Sequence, residues 1–163
     1  MGLIEDIGEG PVALDTAPFI YWIEEHPDYL GVVGPVFRAA DAGDVEVVSS
    51  KLTLLEVMVV PYRVGQLQLA ERYELLLTGS RHIRLLDIDL DLLRAAAYLR
   101  ALHGVRTPDA LQLAAALAAR ATVFVTNDRR LPTLPGLEIL QLADYLQPFS
   151  WQRTVGSLRG RSA

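Results

Sequence analysis

The chain has 163 residues, 51% of them hydrophobic, and a formal charge of −5, which is enough for one sizeable core and too little for two complete domains. It contains no cysteine, excluding disulfides, thiolate-based zinc or iron sites and cysteine nucleophiles. Its three histidines, His26, His82 and His103, include no i, i+4 pair that could present two imidazoles to zinc, so any metal is expected to be held by oxygen.

In chain order, MGLIEDIGEG is acidic and has no basic region ahead of an apolar segment, so no secretion signal is expected and a cytoplasmic location follows. PVALD reads as a short buried strand, followed by helical segments over 17–26 and 27–42, the second weakened by Gly31 and Gly34. DVEVVSS is the next strand. Thr53 then starts a helix through LLEVMVVPYR that Pro61 should kink or end, before a further helix near 66–77. HIRLLDID supplies a strand, and 89–103 a helix stopped by Gly104. Thr107 and Pro108 suit the N-cap and first position of a helix reaching Arg120. ATVFVTND is the most strand-like segment, LEILQL adds a last strand and ADYL a helical turn. The apolar stretches in TLLEVMVV and LQLAAALAA fall short of the roughly 20 residues of a membrane-spanning helix. A single domain over 1–148 is expected, with a basic tail over 149–163 that carries three arginines in WQRTVGSLRGRSA.

Strands separated by helices favour a parallel sheet covered on both faces, with ligands collecting at the carboxyl ends of the strands. Four acids fall at element boundaries that this topology can bring to one edge: Asp15, Glu56, Asp109 and Asp128. Each also has a local use. Asp15 or Thr16 can cap a helix, and Glu56, three residues after Thr53, completes a T-x-x-E capping box. Asp109 complements the dipole in the first turn of its helix, and Asp128 can make a turn. Together they say more, because converging carboxylates repel unless a cation neutralises them. Hard oxygen ligands of this kind suit Mg²⁺ or Mn²⁺.

At these residues the chain resembles a known family. LDTAPFIYWIE, SKLTLLEVMV, TPDALQLAAAL and FVTNDRRL, in this order, look like the four acidic blocks of PIN-domain ribonucleases, particularly the VapC-type toxins of bacterial and archaeal toxin–antitoxin pairs. The resemblance spans roughly Val12 to Leu146 and implies a Rossmann-like three-layer α/β/α sandwich around a mostly parallel sheet. It implies that Asp15, Glu56, Asp109 and Asp128 are both catalytic and metal-binding, holding one or two Mg²⁺ or Mn²⁺ ions for metal-dependent hydrolysis of RNA phosphodiesters. Thr16 and Thr126 would orient a carboxylate or a water, and Arg129, Arg130 and Arg106 are candidates for contact with substrate phosphate. Ala17 departs from the pattern, standing where the family often has Asn or Ser.

The family also implies a homodimer and an antitoxin. Tyr21, Trp22, Val36, Phe37 and the run from Leu75 to Leu77 are candidates for a groove that takes an antitoxin helix. Two rivals stand beside this reading. A receiver-like domain would need a lysine after a later strand, and the sole lysine, Lys51, precedes the helix of Glu56. A non-catalytic RNA- or protein-binding PIN-like module would use the acids only as caps.

Overall fold

The structure, a computed structural model, describes residues 2–146; the tail expected over 149–163 and the domain limit at 148 lie outside the described residues. Five strands, β1 (Val12–Leu14), β2 (Val47–Ser50), β3 (Ile83–Leu86), β4 (Val123–Thr126) and β5 (Glu138–Gln141), form one sheet in the order β3-β2-β1-β4-β5. Every pairing between them is parallel. Helices α1 (Leu3–Ile7), α2 (Thr16–Ile23), α3 (Leu30–Ala42), α4 (Leu52–Arg63), α5 (Leu67–Gly79), α6 (Leu90–His103) and α7 (Thr107–Ala118) cover it, and a short 3₁₀ turn, Leu142–Tyr145, closes the described chain.

Successive residues of a strand point to opposite faces, and the central strands use both. Val12, Leu14, Val47, Val123 and Val125 join one core with Phe19, Phe37, Val57, Tyr73 and Leu77. Ala13, Val48 and Phe124 face the other, packed with Leu92, Leu99, Ala110 and Leu113. The result is an α/β/α sandwich with α1 to α5 on one side of the sheet and α6 and α7 on the other. Among the described residues, no helix is long and apolar enough to cross a membrane.

Several boundaries differ from the sequence expectation. The first helix starts at Thr16 and ends at Ile23, and the second begins at Leu30. Helix α4 starts at Leu52 with Lys51 as N-cap, so Glu56 is its fifth residue and the capping box expected from Thr53 does not form. It also runs through Pro61, which is buried two residues before the helix ends and forfeits only the backbone bond that its own nitrogen cannot donate. Arg106, not Thr107, is the N-cap of α7, which ends at Ala118. Helix α1 was not legible in LIEDI. It buries Leu3 and Ile7 in the first core, and its Glu5 carboxylate accepts from the Gly2 N–H at 2.7 Å. Val36, Phe37 and Leu77 are core residues and offer no groove, whereas Leu75 is exposed and Tyr21 and Trp22 are half-buried.

Leu77 is 1% exposed in the first core and carries no polar group, so Leu77→Ala tests packing there. A cavity of this kind costs about 2–5 kcal/mol. Urea denaturation should show a lower midpoint at unchanged slope.

Candidate active site at the carboxyl edge of the sheet

The sheet register places the acids. Leu14 of β1 pairs with Val125 of β4, and the Asp15 N–H donates to the Val125 carbonyl at 3.0 Å. The next residues on the two strands, Asp15 and Thr126, therefore lie side by side just past the strand ends. The Thr126 hydroxyl donates to Asp15 Oδ2 at 2.7 Å and accepts from the Asp128 N–H at 3.0 Å, so one buried side chain orients two of the acids. Asp15 is also the N-cap of α2, its Oδ1 accepting from the Thr16 N–H at 2.8 Å. Here capping and a place in the site coexist in one residue.

Glu56 reaches the same edge from α4. It turns away from its own helix start and accepts from the Thr16 hydroxyl at 2.6 Å. Asp109, third residue of α7, lies in the first helical turn, where a negative charge meets the positive end of the dipole. Asp15, Glu56, Asp109 and Asp128 all line one cleft of about 440 Å³, with Thr16, Ala17, Arg106 and Gln112 in its walls.

The electrostatics divide the acids. Burial raises the pKa of Asp15 above the usual carboxylate value; the Thr126 and Thr16 hydrogen bonds oppose this, and the charges of Asp109 and Asp128 add to it. Burial likewise raises Glu56, against the Thr16 hydrogen bond, with Asp15 and Asp109 raising it further and Arg106 lowering it. Asp128 is pulled down to about 2, first by its hydrogen bond from Arg130. The Arg130 fork donates to both oxygens of Asp128, at 2.9 and 2.8 Å. Arg106 spans two acids, its Nε 3.0 Å from Asp109 Oδ2 and its Nη2 3.4 Å from Asp128 Oδ2. Arg129 pairs instead with Asp144 of the terminal turn and does not line the cleft.

A divalent cation suits this donor set in kind, since four carboxylates from four elements share one cleft and two of them are disfavoured as bare charges. Among the described residues, no three acids close around a single point as they stand. The guanidinium groups of Arg106 and Arg130 meanwhile hold Asp109 and Asp128. Both arginine side chains are well exposed, at 62% and 71%, and free to withdraw. Sequence reasoning missed Gln112, a buried amide in the cleft wall one helical turn after Asp109. The available signal was a single polar side chain inside LQLAAAL, a run whose helix is apolar on every side.

The fold is similar to that of a chain in the crystal structure of VapBC2 from Rickettsia felis bound to promoter DNA, at 20% identity over 80% of this chain and 97% of that one, with a TM-score of 0.56. A toxin–antitoxin complex from Klebsiella pneumoniae matches at 19% identity, covering 77% and 94% of the two chains, with a TM-score of 0.56. DNA-bound VapBC from Salmonella typhimurium matches at 22%, covering 81% and 98%, with a TM-score of 0.55. A comparison with curated proteins finds no match. The PIN domain family model matches residues 12–137, a span that contains all four acids and every strand but the last, β5. With the all-parallel sandwich in place, the chain belongs to the PIN-domain family.

Proposed function

We propose that this protein is a metal-dependent endoribonuclease of the VapC type, the toxin of a toxin–antitoxin pair, acting in the cytoplasm. The observation that carries the proposal is the convergence of Asp15, Glu56, Asp109 and Asp128 in one cleft at the carboxyl edge of the sheet. These four residues would hold Mg²⁺ or Mn²⁺, and a cation bound there supplies Lewis acidity toward water and a phosphate oxygen. Thr126 fixes the Asp15 carboxylate and Thr16 fixes one oxygen of Glu56. The other oxygen of Glu56, on a group with a raised pKa, is suited to accept a proton from water as it attacks phosphorus. Arg106, once released from Asp109 and Asp128, would meet the charge of the substrate phosphate from the cleft wall, and Arg130 and Arg129, which do not line the cleft, are further candidates.

Single-stranded RNA is the expected substrate, since its backbone and bases are accessible. An antitoxin partner is supported by the neighbouring VapBC complexes, and exposed Leu55, Val59, Val60 and Tyr62 on α4 offer an apolar surface for it or for a second copy of this chain. If water is the nucleophile, all-ribose RNA should be cut without leaving a 2′,3′-cyclic phosphate, and a single 2′-deoxy nucleotide at the scissile position should not prevent cutting. Cyclic products, or complete protection by the 2′-deoxy group, would count against the mechanism.

A second reading draws on the ion pairs of Arg106 and Arg130, which neutralise two of the acids without a cation and would suit a non-catalytic RNA- or protein-binding module. Arg106→Ala separates the two. If the guanidinium competes with a cation, its loss should tighten Mn²⁺ binding by up to about fivefold, the equivalent of an exposed ion pair worth up to about 1 kcal/mol. The KM for RNA should rise in the same variant. Titration calorimetry and steady-state kinetics measure the two effects, and unchanged Mn²⁺ binding would remove the competition.

A further inference from the structure

Beneath the cleft lies a buried polar chain that the chemistry above does not use. Ser49, Ser50, Thr53 and Gln112 are each at most 3% exposed, in positions where an unpartnered polar group would be costly. Gln112 Oε1 accepts from the Ser50 N–H at 3.2 Å and from the Ser50 hydroxyl at 2.9 Å. A backbone N–H can only donate, which fixes the orientation of the amide and leaves Nε2 to donate to Thr53 Oγ1 at 2.6 Å. Ser49 donates to the Leu14 carbonyl at 2.9 Å, nearer than Gln112 Oε1 at 3.3 Å. The Thr53 hydrogen therefore goes to Ser49, 2.8 Å away. Donation runs one way, from Gln112 through Thr53 and Ser49 to Leu14.

Both ends of this chain and its middle are close in sequence to an acid. Thr53 is three residues before Glu56 in α4, Gln112 is three after Asp109 in α7, and Leu14 immediately precedes Asp15. We propose that the Gln112–Thr53–Ser49 chain is a positioning device, which locks α4, α7 and β1 in the mutual placement that brings Glu56, Asp109 and Asp15 into one cleft, from which they can close on a cation. Apolar side chains of similar volume would pack these elements equally well but would leave them free to slide and rotate. Directional hydrogen bonds in a dry interior fix distance and angle together. Ser50 completes the lock, since its hydroxyl also accepts from the Leu52 N–H at 3.3 Å where α4 begins.

The proposal rests on the metal-site reading, and the test is arranged so that the two can fail separately. Mn²⁺ affinity, followed by electron paramagnetic resonance, is compared for wild type, Asp109→Asn, Thr53→Val, Thr53→Ser and Leu77→Ala. Thr53→Val keeps shape and loses both hydrogen bonds; it should weaken Mn²⁺ binding by about 10–100-fold, the usual effect of removing groups that orient metal ligands. Its kcat should fall with the KM for RNA unchanged, and Thr53→Ser should restore most of both. Leu77→Ala should lower Tm and leave Mn²⁺ affinity at the wild-type value. If Thr53→Val lowers Tm yet binds Mn²⁺ as wild type does, the chain is merely structural and the proposal is overturned. Ser49→Ala cuts the same chain and takes its place if Thr53→Val does not fold. Absence of Mn²⁺ binding in the wild type would overturn the metal-site reading and this proposal together, whereas binding lost only in Asp109→Asn would overturn this one alone.

Discussion

Asp15→Asn is expected to reduce RNA cleavage by more than about 100-fold, the upper end of the loss seen when groups behind a metal ligand are removed, while the metal-free protein stays at least as stable as wild type. Asn is as good an N-cap as Asp and can still accept from the Thr16 N–H, so α2 keeps its start, while the Asn Nδ2 donates to the Thr126 hydroxyl, which turns from donor to acceptor. The stability follows from the sign of the pKa shift. Asp15 is raised in the fold by burial, so its protonated form is favoured there. That stabilisation is present below the unfolded value and is lost as pH rises through the folded one. Once ionised and without a cation, the carboxylate is a net cost that the amide removes. Thermal unfolding in EDTA at pH 7 checks this. A variant much less stable than wild type would mean that the charge itself holds the metal-free edge together.

Mn²⁺ should do for the wild type what the amide does for the variant. At a free ion concentration about 100 times the dissociation constant, stabilisation is about 2.7 kcal/mol, or roughly 5–10 °C in Tm for a domain of this size. The gain should grow as pH rises above the ordinary carboxylate range, because Asp15 and Glu56, both raised by burial, must lose their protons before they bind an ion. Asp128 adds nothing to this dependence, since Arg130 holds it at about 2 and it is ionised throughout. Differential scanning calorimetry at several pH values with Mn²⁺ or EDTA measures the shift; a pH-independent gain would argue that the ion binds elsewhere.

The candidate acids were legible because Asp15 and Asp128 follow strand ends and Asp109 lies in the first turn of a helix, positions that gather at one sheet edge, where Glu56 joins them from the fifth position of α4. What they touch was not. T-x-x-E in TLLE promised a reciprocal cap, yet Thr53 turns inward to Gln112 and Ser49, and Glu56 reaches across to Thr16 forty residues away. Local spacing carries no information about a partner on another element, and here the distant partners won. The strands VAL, VVSS and VFVT were recognisable as buried runs, but with both faces covered they show no alternation, so the order of the sheet was not legible. Helix α1 is only five residues long, too short for a periodic signal. Its stability comes from Leu3 and Ile7 packing on the core and from the Tyr145 hydroxyl donating to Asp6 at 2.7 Å, contacts made by distant chain.

The decisive measurement is cleavage of a mixed pool of structured and single-stranded RNA by the purified protein in Mg²⁺, Mn²⁺ or EDTA, beside Asp109→Asn. Cutting of single-stranded RNA with either ion, abolished by EDTA and by the substitution, is the predicted result. Equal cutting by wild type and variant, or none with any ion, would contradict the nuclease assignment and leave the binding module in its place.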